Sequence, residues 1–303
     1  LTVRRAPGAA DGPKAVWNVG DVDDANLFGT FKGLDGTTGH QDPNCTTNGK
    51  AYCSFSPLSR NGWAVLDDPS ERIDPATEWI TPAPGHGYAD AYFFGYGLEY
   101  RAALRAFASV AGPAPAPPRF ALGVWWSRYW PYTAEDLETI AQGYAEHSVP
   151  LDVLVSDMAW HYHGEKHVAW GGYTWGEELF PEPDYFLERL GAAGLNTTLN
   201  LHLDPVVPGV EAHYADFAVA LGLPGDGNAT IPGPHAGPYT GNVVTELTRS
   251  KRFAMAYLAL LDHPGTNFWW LDDEPKWVAR LLYEHSATRM QRGMAFSRYA
   301  GLG

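Results

Sequence analysis

The chain is poor in cysteine, in basic residues and in long apolar runs, and each shortage excludes a class of protein. With two cysteines in 303 residues, a scaffold stapled by several disulfides is excluded. Lys and Arg number 21 against 35 Asp and Glu, and the net charge of −14 would repel a nucleic-acid backbone. No apolar run reaches the length of a membrane span, and the opening residues lack the pattern of a secretory leader. We therefore expect no nucleic-acid partner and no membrane span.

Aromatic side chains, by contrast, are abundant, with 12 Trp, 16 Tyr and 13 Phe. Tryptophan faces suit stacking against the apolar faces of sugar rings, but a large α/β core also buries many aromatic rings. Neutral sugars are insensitive to the negative field of the chain. Composition alone favours the second interpretation, an aromatic-rich core.

Two features bear on the cellular compartment. Cys45 and Cys53 lie close together in a polar segment, where a disulfide would require an oxidising environment, and they lack the further partners of a zinc finger. Three N-x-S/T sequons, at Asn44, Asn196 and Asn228, point to a secreted protein or to the endomembrane lumen. The redox state of the cysteines, the localisation and the oligomeric state stay open.

The organisation of the sequence changes at a proline-rich joint, GPAPAPP, after residue 111. Residues 1–112 carry short apolar runs between turn clusters, which predicts β-rich structure, with one helix at about 98–110. From Arg119 onward apolar runs alternate with helical stretches: FALGVWW, a helix capped by Thr133, LDVLVSD, a helix at PDYFLERLGAAG, TTLNLHL, a helix over 249–262, NFWWLD, a helix over 276–292, and MAFSR. This alternation predicts an α/β fold with a parallel sheet, either part of a (β/α)8 barrel or a doubly wound sheet. No glycine-rich phosphate loop follows any strand, which favours the barrel.

Acidic residues stand where three successive predicted strands end. In a barrel the carboxyl ends of the strands form the active-site face, here Trp125–Trp126, Asp157, His202 to Asp204, Asp272 to Glu274, and Arg298. A single Asp after a strand often caps the next helix. Three acids accompanied by tryptophans are more typical of a site that stabilises an oxocarbenium-like centre and stacks a sugar.

These motifs, in this order, resemble glycoside hydrolase family 31. TNFWWLDDEP resembles the family's nucleophile segment, with Asp272 as the nucleophile and Trp270 before it. PLDVLVSDMAWH resembles the strand that ends in a sugar-binding Asp, here Asp157 followed by Met158. RFALGVWWSRYWPYT resembles the first barrel strand, and the segments around Trp63 and Phe93 resemble the end of the β-sandwich that precedes the barrel.

The resemblance implies a partial (β/α)8 TIM barrel, residues 113–303, with about five βα units. Before it, residues 1–112 would be the C-terminal part of a galactose-mutarotase-like β-sandwich. The implied activity is retaining hydrolysis of α-linked glycosides or oligosaccharides, without a cofactor or metal. Asp272 would be the catalytic nucleophile. The implied substrate-binding residues are Asp157, Met158, Trp125, Trp175, His202 and Trp270.

The resemblance also indicates where the acid/base residue should lie. The segment AFSRYAGLG resembles the family's fifth strand, and family members carry the acid/base residue after that strand. There they supply a substrate-binding Arg, the acid/base Asp and a His, so we expect the acid/base residue beyond Gly303 and interpret Arg298 as a structural neighbour. A retaining glycosidase needs two carboxyl groups about 5 Å apart. On this interpretation residues 1–303 by themselves would expose sheet edges, aggregate and lack hydrolytic activity. Asp273 and Glu274 differ from the family's usual residues after the nucleophile, and two more acids there would raise its pKa unless they point away.

Three other functions remain open. Loss of hydrolysis with retention of the pocket would give a non-catalytic carbohydrate-binding relative. Loss of both would leave an inactive fragment. A metal-dependent barrel hydrolase would use His161, His163 and His167 of the segment WHYHGEKH, or His202 and Asp204.

Overall fold

The computed structural model describes residues 2–3, 15–18, 21–29, 46–47, 50–51, 55–67, 72–81, 90–161, 172–225, 243–272 and 276–298. Several residues singled out by the sequence lie outside these ranges: Asn44, Cys45, Cys53, His163, His167, Asn228, Asp273 and Glu274. The disulfide, two of the sequons and the acids after Asp272 therefore stay predictions. Among the helices of the described ranges, none is long and apolar enough to cross a membrane.

The described secondary structure comprises short strands followed by alternating strands and helices. The strands are β1 (Thr2–Val3), β2 (Ala15–Val16), β3 (Thr46–Thr47), β4 (Lys50–Ala51), β5 (Ala64–Asp67), β6 (Arg72–Asp74), β7 (Trp79–Thr81), β8 (Ala91–Phe94), β9 (Trp125–Trp126), β10 (Val153–Ser156), β11 (Asn196–Leu201), β12 (Phe268–Leu271) and β13 (Phe296–Ser297). The helices are α1 (Tyr100–Ala111), α2 (Ala134–Glu146), α3 (Pro183–Ala192), α4 (Tyr214–Leu221), α5 (Val243–Arg249), α6 (Lys251–Leu260) and α7 (Lys276–Ala287), with 3-10 turns at Arg119–Leu122 and Met158–Trp160.

The chain divides into two compact units. The first comprises Leu1–Glu71, Ala83–Pro115 and Tyr299–Gly303, and its described strands pair antiparallel as β1 with β2, β3 with β4 and β5 with β8. Within it the ring of Phe94 on β8 lies 6.2 Å from that of Phe107 on α1. The assignment of residues 1–112 to a β-sandwich stays a prediction.

The second unit comprises Arg72–Pro82 and Ala116–Arg298, so the hairpin of β6 and β7 belongs to it. Trp79 on β7 explains this grouping, because its indole Nε1 donates a hydrogen bond to the carbonyl oxygen of Leu247 on α5 at 3.0 Å. Lys251 of α6 also forms an ion pair with Glu78 at the tip of the hairpin, 3.3 Å away.

The second unit is built on a five-stranded parallel sheet in the order β13-β12-β11-β10-β9. Each strand pairs with its neighbour in sequence, so every crossover moves in the same direction across the sheet. A doubly wound sheet reverses its strand order at a switch point, whereas a (β/α)8 barrel does not. The strand order is therefore that of a barrel.

The two faces of this sheet bury different residues, since successive side chains of a strand point to opposite sides. On one face, which we call the helix face, Leu154, Leu199, Leu201, Trp269 and Leu271 pack with the buried side chains of the helices. On the opposite face, which we call the inner face, Val153, Val155 and Phe268 pack with Trp125, Trp270 and Phe296. Strands β10 and β12 bury apolar residues on both faces, which explains why they read as continuous hydrophobic runs. Strand β11 instead places Thr198 and Asn200 on the inner face.

The prediction that Thr133 caps α2 is confirmed, and Asp136 adds a reciprocal hydrogen bond that the prediction did not include. The Oγ1 of Thr133 accepts a hydrogen bond from the backbone N–H of Asp136 at 3.1 Å, and the carboxylate of Asp136 accepts one from the backbone N–H of Thr133 at 2.9 Å. This reciprocal pair satisfies two backbone donors at the helix start.

Three predicted elements differ from the structure. The run FALGVWW is a 3-10 turn followed by the two-residue strand β9. The helix predicted over 249–262 is divided at Ser250, which is extended and caps α6 through a hydrogen bond from Phe253 N–H to its Oγ. The helix predicted over 276–292 ends at Ala287 because the chain turns back, with the Met294 N–H donating to Ser286 Oγ at 2.7 Å.

Candidate active site

Polar side chains continue the inner face beyond the ends of the strands. Asp157 follows Val153 and Val155 at steps of two, and Asp272 follows Phe268 and Trp270 in the same way. Asn200 pairs with Trp270 in the register of β11 and β12, which places Asn200 and then His202 on this face too. The sequence alternation and the register therefore bring residues from separate strands to one edge of the sheet.

Asp272 is the centre of this group. Its backbone N–H donates to the Leu201 carbonyl at 3.0 Å, which extends the pairing of β12 with β11 by one residue. Its Oδ1 accepts a hydrogen bond from Arg298 Nη1 at 2.8 Å, and its Oδ2 accepts one from Asn200 Nδ2 at 3.2 Å. His202 Nε2 lies 3.4 Å from the same Oδ2. Both carboxylate oxygens are thus held by donors from neighbouring strands.

These donors keep the Asp272 carboxylate ionised. Burial by itself raises the pKa of Asp272, because its side chain is only 12% exposed. Hydrogen bonds from His202, Arg298 and Asn200, together with the positive charge of Arg298, outweigh burial and lower the pKa to about 2. A carboxylate that is charged, oriented and partly shielded from water is suited to attack an electrophilic carbon or to stabilise a positive one.

Asp157 lies in a different electrostatic environment. Burial raises the pKa of Asp157, a hydrogen bond from the Met158 N–H to its Oδ1 at 2.8 Å lowers it, and the charge of Asp272 raises it again, with a raised pKa as the result. Asp157 also caps the 3-10 turn that begins at Met158. The helix-capping role considered for such an acid is therefore present here, alongside electrostatic coupling to Asp272 and His202.

Trp125 and Trp270 lie together on the inner face. The ring of Phe296 is 5.2 Å from that of Trp125 and 5.8 Å from that of Trp270, and both tryptophans are half-buried. The indole N–H of Trp125 donates to the Ala121 carbonyl at 3.2 Å. These two predicted apolar walls line the same face as Asp272.

Trp175 occupies a different environment. Its side chain is buried among aromatic rings, with ring centroids 4.9 Å from Phe180, 5.2 Å from Trp160 and 5.9 Å from His263. Trp160 itself is fully buried, and its indole N–H donates to the Asn200 carbonyl at 2.8 Å. The structure thus places Trp175 in a buried aromatic cluster, in which its neighbour Trp160 is hydrogen-bonded to β11.

Histidines do not assemble a metal site in the described part of the chain. His161 is buried with its ring edge-on to that of Trp160 at 5.6 Å, and His202 faces Asp272. Within the described ranges, no three His, Cys, Asp or Glu side chains are grouped so that they could hold a metal ion. The absence of a metal from the functional protein stays a prediction.

Two residues of this site were not predicted from the sequence as partners of Asp272. The predictions above do not include Asn200 and treat Arg298 as a structural neighbour, yet both side chains donate to the carboxylate. A signal was available in the alternation: Asn200 precedes His202 by two residues, and Arg298 follows the inner-face Phe296 by two.

A second, buried polar cluster lies behind the end of β11. Glu211, 5% exposed, accepts hydrogen bonds from the Tyr173 N–H at 3.0 Å and from Thr174 Oγ1 at 2.8 Å. The Tyr173 hydroxyl donates to the Asp204 carbonyl at 2.5 Å. Burial raises the pKa of Glu211, and its two hydrogen bonds oppose the rise without cancelling it. This cluster joins segment 172–175 to the chain that follows β11.

Comparisons with known proteins all point to the same family. The family model described as "Glycosyl hydrolases family 31 TIM-barrel domain" matches residues 114–299. A probable glucan 1,3-alpha-glucosidase of Arabidopsis thaliana is 32% identical over 139 residues, which are 44% of this chain and 14% of that protein. An alpha-xylosidase of Lactiplantibacillus pentosus is 26% identical over 151 residues, 48% of this chain and 19% of that protein. The chain therefore aligns with less than a fifth of the length of either relative.

Among solved structures, a family 31 dextranase from Flavobacterium johnsoniae bound to glucose superposes with a TM-score of 0.55 and 16% identity. The superposition covers 86% of this chain and 36% of the dextranase chain. At this identity the likeness concerns the fold. Together with the strand order, these matches confirm the prediction of a partial (β/α)8 TIM barrel.

Proposed function

Because this chain belongs to glycoside hydrolase family 31, we propose that it carries the nucleophile side of the active site of a retaining α-glycosidase. The observation that carries the proposal is the Asp272 carboxylate, which Arg298, Asn200 and His202 hold ionised at the carboxyl edge of the sheet. Active sites of (β/α)8 barrels lie at this edge.

In the proposed reaction, an oxygen of Asp272 attacks the anomeric carbon of an α-linked sugar. The bond from that carbon to the glycosidic oxygen breaks as the bond to Asp272 forms, and the departing oxygen takes a proton from a second carboxyl group. Water then attacks the same carbon and gives a proton back to the second carboxylate, while the bond from that carbon to Asp272 breaks, which regenerates the Asp272 carboxylate and releases the sugar. The proposal assigns the acid/base role to no residue of this chain.

The neighbours of Asp272 have distinct roles in this proposal. Arg298, Asn200 and His202 orient the carboxylate and keep it deprotonated, so that it is ready to form a bond at neutral pH. Asp157 and Met158 contact the sugar at the end of β10, and hydrogen bonds from sugar hydroxyls would stabilise the Asp157 carboxylate against burial. Trp125 and Trp270 supply apolar walls. Trp175, enclosed by other rings, contributes by fixing the position of β11.

Mechanism-based labelling tests the proposal on the natural gene product that carries this chain. An activated fluoro-sugar, whose glycosyl-enzyme intermediate is hydrolysed slowly, should label Asp272, as peptide mass spectrometry would show. Asp272→Asn, nearly isosteric, should abolish labelling and turnover and leave the thermal unfolding transition within a few degrees of the parent. Asp204→Asn is the matched control, because Asp204 lies three residues after β11 and should remain dispensable for labelling.

The other outcomes separate the remaining functions. A label on Asp157, Asp204, Asp273 or Glu274 would show that the nucleophile is misassigned. Saturable sugar binding without any label or turnover would favour a non-catalytic carbohydrate-binding relative.

A further inference from the structure

A pair of exposed aromatic side chains follows β9. Tyr129 is 66% exposed and Trp130 is 56% exposed, although large aromatic rings are usually buried. Leaving an indole in water forgoes the stabilisation that its burial would provide. Adjacent exposed aromatic rings of this kind are typical of surfaces that bind a partner or a ligand.

Trp130 is held in place even though it is exposed. The guanidinium of Arg128 lies 5.3 Å from the centre of the Trp130 ring, and its Nη1 donates to the Tyr132 hydroxyl at 3.2 Å. The Tyr132 ring in turn packs edge-on against Trp126 of β9, with centroids 5.2 Å apart. These contacts connect the exposed indole to the sheet, so the ring would lose little conformational freedom on binding a ligand.

The position of Trp130 relates it to the candidate active site. Trp126 pairs with Leu154 in the parallel register of β9 and β10, so residues 127–132 leave the sheet at the edge where β10 leads into Asp157. This is the carboxyl edge that also carries Asp272. Trp130 therefore belongs to the segment that leaves β9 at the same carboxyl edge as Asp272, and Tyr132 connects this segment to Trp126, which packs with the helix-face residues.

We propose that Trp130 is a stacking platform for a second sugar ring of an α-linked oligosaccharide whose first ring lies at Asp272. The inference rests on the proposed function and adds a specificity residue to it. Axial C–H groups of a pyranose carry partial positive charge and pack against the negative face of an indole ring. Arg128 covers one face of Trp130, and the exposed remainder is available to the sugar. The remaining N–H donors of Arg128 and the hydroxyl of Tyr129 are suited to hydrogen-bond sugar hydroxyls.

Calorimetric titration of the natural gene product would test this platform. Asp272→Asn serves as the background, so that bound saccharides are not hydrolysed, and the probes are glucose, xylose, maltotriose and isomaltotriose. We expect Trp130→Ala to weaken the binding of a trisaccharide about three- to tenfold, in line with the usual strength of aromatic stacking, and to leave monosaccharide binding unchanged. Trp130→Phe, which keeps an aromatic face, should retain most of the affinity.

Tyr185→Ala is the matched control. Tyr185 on α3 is 53% exposed and carries the Arg189 guanidinium 4.4 Å from its ring centre, but it belongs to the helical layer. This variant should bind all four saccharides as the background protein does.

The possible results distinguish the inference from the function on which it rests. Trisaccharide affinity that is unaffected by Trp130→Ala, or a loss that is equal for monosaccharides and trisaccharides, would overturn the platform and leave the active-site proposal standing. Failure of the background protein to bind any of the probes would count against both.

Discussion

Arg298 donates a hydrogen bond from Nη1 to Oδ1 of Asp272 at 2.8 Å, although 26 residues separate them in the chain. The pairing of β12 with β13 makes this contact possible, because the Arg298 N–H also donates to the Leu271 carbonyl at 3.1 Å. The carboxylate and its cation therefore project side by side from the carboxyl ends of adjacent strands. Together with the hydrogen bonds from His202 and Asn200, this contact keeps Asp272 ionised and sets the orientation of its carboxylate.

Replacement of Arg298 by methionine should raise the pKa of Asp272. Removing an adjacent guanidinium typically shifts a carboxyl pKa upward by about 1–3 units. The folded-state pKa of Asp272 is about 2, below its ordinary value of 3.8, so ionised Asp272 stabilises the folded protein above pH 3.8. This contribution is lost as the pH falls from 3.8 towards 2, and it should be smaller in Arg298→Met.

A carbon-13 NMR titration of the Asp272 carboxyl group would measure the change, with thermal unfolding followed between pH 2 and 5. Arg292→Met is the control, since Arg292 donates instead to the Pro117 carbonyl at 3.3 Å. An unchanged pKa of Asp272 in Arg298→Met would refute the role assigned to this arginine.

Replacement of Asn200 by aspartate should place two carboxylates in direct contact. Asn200 is 2% exposed and its Nδ2 lies 3.2 Å from Asp272 Oδ2, so the variant would bury two like charges at this distance. One of the two pKa values must then rise, and the stability deficit should grow as the pH rises through that value. We expect a loss of about 2–4 kcal/mol in unfolding free energy at pH 7 and a smaller loss at pH 4.

Chemical denaturation at both pH values would measure these losses. Asn267→Asp provides the comparison, because Asn267 Oδ1 accepts a hydrogen bond from the Thr197 N–H at 2.8 Å and an aspartate keeps that acceptor. A deficit for Asn200→Asp that does not depend on pH would indicate lost packing rather than charge repulsion.

Replacement of Glu211 by glutamine should remove a pH dependence of stability. Burial raises the folded-state pKa of Glu211 above its ordinary value of 4.5, so the folded protein binds this proton more tightly than the unfolded chain does. The stabilising contribution of the protonated Glu211 is therefore complete below pH 4.5. It is lost as the pH rises from 4.5 through the folded-state pKa. A glutamine oxygen can still accept the hydrogen bonds from Tyr173 and Thr174, and it carries no charge to desolvate.

Thermal unfolding at pH 4, 5, 6 and 7 would follow this effect. We expect Glu211→Gln to match the parent at pH 4 and to be at least as stable at pH 7, whereas Glu177→Gln, on an exposed glutamate, should follow the parent throughout. A variant that is less stable than the parent at every pH would show that the carboxylate itself is required by the cluster.

Purified protein should contain no stoichiometric zinc or other transition metal, and chelation should not change ligand binding. The expectation rests on His161, whose ring is buried against Trp160, and on His202, which is directed to Asp272 rather than to other metal-binding side chains in the described ranges. Elemental analysis would check it. One equivalent of tightly held zinc, lost in a His163→Ala or His167→Ala variant, would revive the metal-dependent hydrolase.

Local patterns predicted most of the secondary structure of the second unit. Thr133 and Asp136 stand three residues apart before an apolar run, and this spacing is sufficient to specify a capped helix. The runs around Val153 and Phe268 specify buried parallel strands, because their residues on both faces are apolar. Strand β11 differs, since its inner face carries the buried polar residues Thr198 and Asn200. The differences include β9, which is shorter than predicted, the end of α7, where Ser286 holds the returning chain, and helices α4 and α5, which the predictions do not include.

The amino-acid sequence by itself determined which acids end the strands, since alternation and hydrophobic runs are properties of adjacent residues. The sequence did not determine which side chains are in contact, because these contacts depend on strand order and register. Asn200 lies 72 residues before Asp272, and only the pairing of β11 with β12 brings its amide to the carboxylate. Likewise, Trp130 and Trp175 have the same side chain, but the fold exposes Trp130 after β9 and encloses Trp175 among aromatic rings. Contacts between residues so far apart in sequence arise only when the sheet packs. These contacts keep Asp272 ionised, which is the charge state proposed for catalysis.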